Sequence, residues 1–273
     1  MAFDYEKYLR PGKLPHIWCP GCGHGIVMKG LIRAMDLLSL DKNETAIVSG
    51  IGCASRLPGY MDCCTLHTAH GRAPAFATGL KLAKPEMTVI LVCGDGDVTA
   101  IGGNHFIHAC RRNIDMTLII MNNYIYGMTG GQFSPTTPTG QRASTTPYGN
   151  PDPNFDTVKL AIGAGATFVA RGTAFHAAQL DKLIANAIRH KGFSVVEILD
   201  DCPTTYGRRN KFKSAVEMMN RHKELTIPLK AAEKMTPEQL NGKIITGVFH
   251  QEERPEYCDE YGKIIKRARQ STN

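Results

Sequence analysis

Thr88-Val89-Ile90-Leu91-Val92 is a continuous apolar run rich in β-branched residues, and Gly94-Asp95-Gly96-Asp97 follows it almost at once. A run without polar alternation suits a strand buried on both faces of a parallel sheet. Three more runs share the pattern: Thr45 to Val48, Met116 to Met121 and Ser194 to Leu199. Thr167 to Ala170 reads as a fifth strand, after Gly163 and Gly165, which read as helix-ending or tight-packing glycines. Helix-like stretches fill the gaps at 74–83, 104–112, 156–162 and 175–190. This βαβ rhythm predicts an α/β fold with a doubly wound, mostly parallel sheet.

In such a sheet, ligands bind beyond the carboxyl ends of the strands. The runs here are succeeded by Ser49-Gly50-Ile51-Gly52-Cys53, Gly94-Asp95-Gly96-Asp97, Asn122-Asn123-Tyr124-Ile125-Tyr126-Gly127 and Asp200-Asp201-Cys202-Pro203. Asp95 and Asn123 offer oxygen ligands at neighbouring strand ends, which suits Mg²⁺ on a phosphate, and the glycines let backbone N–H groups approach an anion. A strand-end turn with Asp95 capping the next helix would also produce the tetrapeptide, but it leaves Asn123 unexplained. No G-x-G-x-x-G sits between the first strand and its helix, so a dinucleotide site is not expected.

Thiols gather in the same places. Cys19 and Cys22 form a C-x-x-C turn, while Cys53 and Cys202 each follow a strand, so four thiolates could meet at one sheet edge. The spacing leaves structural Zn²⁺, a 4Fe–4S cluster and a redox disulfide open. Cys93 and Cys110 fall in strand and helix patterns and read as buried structural thiols. Cys63 and Cys64 are adjacent, poor geometry for one metal, and they and Cys258 receive no role. His67, His70 and Arg72 precede Pro74, which suits a helix's first turn, so an anion-binding corner is expected there; His67 and His70 lack matched partners for zinc. His105 and His108 share a helix face and remain unassigned.

Gly94-Asp95-Gly, with Asn123 one βαβ step later, resembles the thiamine diphosphate signature. Asn122 to Gln132 and the contexts of Cys19, Cys22, Cys53 and Cys202 are similar to the β subunits of the 2-oxoacid:ferredoxin oxidoreductases. The resemblance runs from Leu14 to about Gly207. Arg56 to Tyr60, Ile101 to His108 and Met128 to Pro138 look most like the member acting on 2-oxoglutarate. It implies that Asp95, the Asn123 side chain and the Ile125 carbonyl hold Mg²⁺, and that Gly94, Gly96, Asp97, Gly127, Met128 and Thr129 bind the diphosphate. Ile51, Gly52, Cys53, Ala54 and His70-Gly71-Arg72 become thiamine and oxoacid contacts, with His70 and Arg72 as catalytic candidates. Cys19, Cys22, Cys53 and Cys202 become ligands of one 4Fe–4S cluster.

The implied reaction is thiamine-dependent oxidative decarboxylation of a 2-oxoacid, giving acyl-CoA, CO₂ and reduced ferredoxin, and able to run backwards. The glutamate that activates thiamine belongs to a second α/β domain for which this chain has no room. An α subunit is therefore implied, with γ and δ subunits as further partners, and the chain is expected to be inactive alone. A pyruvate or branched-chain enzyme is the alternative substrate reading; its discriminator is a cation for the distal carboxylate, for which Arg72 and the histidines are candidates. A non-redox thiamine enzyme with structural zinc, and an assembly subunit with a vestigial site, are the other classes.

The 273 residues are 42% hydrophobic and 21% charged, which fits one large folded unit with an appendage and excludes intrinsic disorder. Residues 1–207 are read as the cofactor-binding domain and 208–273 as a helical C-terminal arm that contacts another subunit. From about Gly131 to Pro153 the chain turns rich in Ser, Thr, Pro and Gly, a long loop that reads as a lid or subunit contact. The net charge is +7, but basic residues cluster only at Arg208 to Lys213 and Lys263 to Arg269. A solvated helix face or an acidic protein partner suits those clusters, and nucleic acid is not expected. No apolar run approaches the roughly 20 residues that span a bilayer, and no secretory h-region is visible, so cytoplasm is the expected compartment.

Overall fold

The apolar runs become neighbouring strands of one eight-stranded sheet in a computed structural model that describes residues 3–271. In chain order the strands are β1 (Thr45–Ser49), β2 (Cys64–His67), β3 (Thr88–Gly94), β4 (Met116–Asn122), β5 (Ile125–Tyr126), β6 (Gln132–Phe133), β7 (Phe168–Thr173), β8 (Phe193–Leu199), β9 (Thr226–Pro228) and β10 (Ile244–Gln251). The sheet order is β2-β1-β3-β4-β8-β7-β10-β9, and every pair from β2 to β7 is parallel. β5 and β6 form a separate two-stranded ribbon.

Every residue of β1, β4 and β8 is buried, the physical reason their sequences show no polar face. Successive side chains point to opposite faces, so each strand feeds two cores. Ile90 and Val92 of β3 enter one, beneath α1 (His24–Leu37), whereas Val89 and Leu91 enter the other, beneath α2 (Ala73–Ala83), α3 (Gly103–Arg112) and α4 (Thr157–Gly163). α5 (Ala177–Arg189) lies beside α1, where a Cβ on Gly30 would stand only 3.1 Å from Leu180 Cβ. Cys93 and Cys110 are fully buried in the second core.

Two departures from the sequence pattern have local causes. Residues 24–37, not among the expected helices, form α1: Val27, Leu31, Ala34 and Met35 supply an inward stripe that the glycines before it obscure. The segment beyond 207 is helical at α6 (Ala215–Leu225), at the short α7 (Leu229–Ala232) and α8 (Pro237–Leu240), and at α9 (Tyr257–Ser271). It also returns to the sheet, because β10 pairs antiparallel with β7 and covers that otherwise open edge. The β-branched Ile244, Ile245, Thr246 and Val248 make this strand. Among the described residues no helix is long and apolar enough to cross a membrane.

Candidate active site

Parallel pairing of β3 with β4 aligns Gly94 with Met121 and so brings Asp95 beside Asn122 and Asn123, just past the strand ends. All three side chains are almost fully buried. Ser134 Oγ and Thr136 Oγ1 donate to Asp95 Oδ2 at 2.5 and 2.6 Å. Burial pushes the Asp95 carboxyl up to about 6, against the pull of those two hydroxyls. The donors come from the Ser/Thr-rich loop, which is tied inward: Asn150 Nδ2 donates to Thr137 O at 2.8 Å and Thr137 Oγ1 to Tyr124 O at 2.5 Å. That segment is a fixed wall of the site. Ser134 and Thr136 were not among the expected site residues, and their only signal in the sequence is a Ser-Pro-Thr-Thr-Pro run beyond the asparagines.

The turn after β4 is shaped by both asparagines. Asn122 Oδ1 accepts from Tyr124 N–H at 3.1 Å and Asn123 Oδ1 from Ile125 N–H at 3.3 Å, around a Tyr124 held at φ 64°. Such a φ is tolerated by few residues without local support. Tyr126 then lies across Gly96, donating to its carbonyl at 3.0 Å, so closely that a Cβ at 96 would overlap the ring.

Asp97 is buried and looks sideways. Its Oδ1 accepts from Gly71 N–H at 2.7 Å and Ile51 N–H at 3.3 Å and meets His70 Nδ1 at 2.5 Å. Asp97 thus fixes the loops after β1 and β2, and leaves His70 Nε2 as the ring nitrogen available to a ligand. Gly71, at φ 71°, is pressed against the Gly102 backbone, which no larger residue would permit. Arg72 Nη1 donates to the carbonyls of His70 and Ile101 at 3.2 and 3.3 Å, bracing the same turn.

These parts enclose a cleft of about 100 Å³. Ile51, Gly52, Cys53, Ala54 and His70 line one side. Gly94, Asp95, Gly96 and Asp97 form the floor, with Asn123, Ile125, Gly127, Met128 and Thr129 opposite. Of the expected cofactor contacts, Gly71 and Arg72 stand outside this lining. His67 is exposed on β2.

Two of the four expected thiols meet at Gly127, and one of them, Cys53, itself lines the cleft. A Cβ at Gly127 would stand 3.3 Å from Cys202 Sγ and 3.6 Å from Cys53 Sγ. The C-x-x-C turn closes with Cys22 N–H on Cys19 O at 3.1 Å, and Gly23 N–H ties it to Asp201 O at 3.4 Å. Burial pushes the Cys53 thiol up to about 11; Cys202, Cys22 and Cys19 add to the rise and His24 opposes it. Cys53 therefore feels all three other thiols. Among the described residues no group of three or more His, Cys, Asp or Glu is set to hold a single metal ion.

His24, missed in the sequence although it directly follows Cys22-Gly23, lines the cleft and is fully buried, 2.5 Å from Asp200. Burial disfavours its charge, but Asp200 and then Cys22 outweigh that and hold its pKa well above the ordinary value. A matching pair, His222 Nε2 and Asp201 Oδ1 at 3.0 Å, anchors α6 to the residue before Cys202.

Residues 50–198 match the family of thiamine pyrophosphate enzymes at its C-terminal TPP-binding domain. The chain is 52% identical to the 2-oxoglutarate synthase subunit KorB of Methanocaldococcus jannaschii, over 96% of this chain and 97% of that one. It is 47% identical to the corresponding subunit of Archaeoglobus fulgidus, over 100% and 98%. A solved 2-oxoglutarate:ferredoxin oxidoreductase from Magnetococcus marinus, with 2-oxoglutarate, coenzyme A and succinyl-CoA bound, superposes with a TM-score of 0.87 at 36% identity, covering 96% of this chain and 90% of that one. The parallel sheet, the buried Asp95 with its asparagines and these near full-length matches agree: the chain belongs to the thiamine diphosphate-binding subunits of the 2-oxoglutarate synthase (KorB) family.

Proposed function

We propose that this chain is the thiamine diphosphate-binding β subunit of a 2-oxoglutarate:ferredoxin oxidoreductase, forming succinyl-CoA and CO₂ and passing electrons through a 4Fe–4S cluster to ferredoxin. One observation carries the reading: a buried carboxylate and amide pair shares its cleft with Cys53, one of the four thiols, and Cys202 stands with Cys53 against Gly127 of the same lining. A decarboxylase without redox chemistry needs only the carboxylate and amide.

Asp95, Asn123 and the Ile125 carbonyl are the oxygen set for Mg²⁺. They fit it chemically, because Ser134 and Thr136 both bond Oδ2 and leave Oδ1 to a cation. The backbone of Gly96, Asp97, Gly127, Met128 and Thr129 serves the diphosphate. The Asp97 carboxylate is already bonded to Ile51, His70 and Gly71, so any contribution to phosphate runs through its backbone N–H. Thiamine diphosphate supplies the electron sink for decarboxylation when bound. His70 Nε2 is placed to bond the oxoacid, while Arg72, held by two carbonyls, orients that turn. Cys19, Cys22, Cys53 and Cys202 suit a cubane, which spaces its thiolates more widely than a single tetrahedral zinc does.

The cleft of about 100 Å³ has room for a diphosphate-sized group, well below the roughly 300–1,000 Å³ of a site that surrounds a whole ligand. An α subunit completes it and brings the activating glutamate and the cation for the distal carboxylate; coenzyme A is the acyl acceptor. Residues 1–207 form the cofactor unit in this reading. Beyond β10, which covers the edge of β7, the C-terminal arm reaches that subunit or another, a role favoured by Tyr261, Ile264 and Ile265 exposed along α9.

The test is analysis of the anaerobically purified complex for iron, acid-labile sulfide, thiamine and magnesium, with ferredoxin reduction by 2-oxoglutarate and coenzyme A. About four irons and four sulfides per chain are expected, with activity absent from the chain alone. Stoichiometric zinc without iron, or greater activity with pyruvate than with 2-oxoglutarate, overturns the corresponding part.

A further inference from the structure

Glu197 interrupts the apolar run of β8, and Arg171 stands beside it on β7, its Cα partner in the sheet register. Both face the core beneath α4, where apolar side chains would be cheaper to bury. Arg171 Nε donates to Glu197 Oε2 at 2.5 Å and Arg171 Nη2 to Asp156 Oδ1 at 2.7 Å, and Phe249 of β10 covers the guanidinium at 5.6 Å. The other Glu197 oxygen, Oε1, accepts from Asn122 Nδ2 at 2.7 Å. That bond decides which way the Asn122 amide points.

The orientation matters because Asn122 Oδ1 has two partners at the cleft. It shares, at 3.0 Å, the single Thr136 Oγ1 proton that points chiefly to Asp95 Oδ2 at 2.6 Å. It also accepts from Tyr124 N–H, setting the turn that carries Asn123 and Ile125. One amide therefore touches the supports of all three Mg²⁺ ligands. Resting on the metal reading above, we infer that Glu197, clamped by Arg171, is a positioning residue for the Mg²⁺ site and acts through Asn122.

A glutamine at 197 has one acceptor where glutamate has two. In Glu197→Gln the buried arginine takes that oxygen, the amide NH₂ faces Asn122 Nδ2, and Asn122 turns away from Thr136 and Tyr124. Removing the arginine as well frees the oxygen for Asn122. The inference thus predicts that Arg171→Met rescues Glu197→Gln, whereas a merely structural ion pair predicts a double variant no better than the single one.

The experiment uses the complex with its partner subunit and Mn²⁺ as probe, its binding read from loss of the free-ion EPR signal with thiamine diphosphate present. Glu197→Gln should weaken Mn²⁺ by about 10- to 100-fold, with kcat returning at saturating magnesium, and the double variant should recover most of the affinity. Asn122→Leu, which keeps the branched shape and loses all three bonds, should show the same loss even if Glu197→Gln does not assemble. Superimposable Mn²⁺ titrations for wild type and either single variant, or a double variant with no recovery, overturn the positioning role alone. A wild-type complex that takes up no Mn²⁺ overturns the metal reading on which it rests.

Discussion

The carboxylate side and the thiol side of the cleft are built differently. On the Asp95 side the polar groups are almost wholly buried, and each carboxylate already holds fixed donors: Ser134 and Thr136 for Asp95, Ile51 and Gly71 N–H for Asp97. On the thiol side Cys19 is exposed and Cys22, Cys53 and Cys202 are half-buried, with order coming from the His24–Asp200 and His222–Asp201 pairs behind them. The first side is finished by hydrogen bonds within the chain; in the proposed reading it is the diphosphate and Mg²⁺ site. The second is a more open frame, held chiefly through its buried histidine–aspartate pairs.

If the sides are independent, each can be broken while the other survives. The largest effect is expected from Cys202→Ala: iron and sulfide content and ferredoxin reduction fall to background, while thiamine and magnesium stay bound. Asp95→Ala should do the reverse, weakening Mg²⁺ by more than the roughly 100-fold that loss of a mere supporting residue costs, with iron unchanged. Metal and thiamine analysis of both purified complexes checks the pair. Loss of both cofactors in either variant would show that the sides fold as one.

The same division explains what the sequence disclosed. The sheet was legible because β1, β3, β4 and β8 are buried on both faces and so carry unbroken apolar runs. Asp95, Asn123, Cys53 and Cys202 stood out because they follow such strands, and Cys19 and Cys22 because of their C-x-x-C spacing. Ser134 and Thr136 were not, since they reach Asp95 across about 40 residues from an irregular loop that has no period to read. Glu197 was equally hidden: one polar residue inside an apolar run has no visible partner until β7 and β4 lie on either side of it. β10 escaped because its β-branched residues stand in a polar, half-exposed stretch interrupted by Gly247, and its place shows only at the open edge of β7.

A smaller perturbation sharpens the contrast. Gly96→Ala places a methyl against the Tyr126 ring on the finished side, and relief requires moving the ring or the turn that carries Ile125. Overpacking of this kind costs about 1–3 kcal/mol, so the melting midpoint should fall and thiamine affinity with it. An alanine at Gly103, where the space is open, is the control and should be near neutral at that contact. Equal losses in the two variants would mean that the Tyr126 wall is slack.

The gentlest probe is pH, because it acts on the Asp95 side without changing a residue. Burial raises the Asp95 carboxyl from the ordinary 3.8 to about 6, so its ionised form is the disfavoured one in the metal-free fold. Above pH 6 folded and unfolded chains both carry the charge, and the fold bears the whole penalty. As pH falls through 6 the folded chain takes up a proton first, and the penalty is relieved by the time the unfolded carboxyl titrates near 3.8. Without metal, this group therefore adds stability on acidification between those two values. Metal binding needs the carboxylate and so moves the other way, losing about tenfold in affinity per pH unit below 6. Melting midpoints of wild type and Asp95→Asn, with and without Mg²⁺ and thiamine diphosphate, isolate the group, because Asp95→Asn should lack both trends. If the two proteins run parallel from pH 7 to 5, a proton and a cation do not compete for Asp95, and the finished side of the cleft is not the metal site.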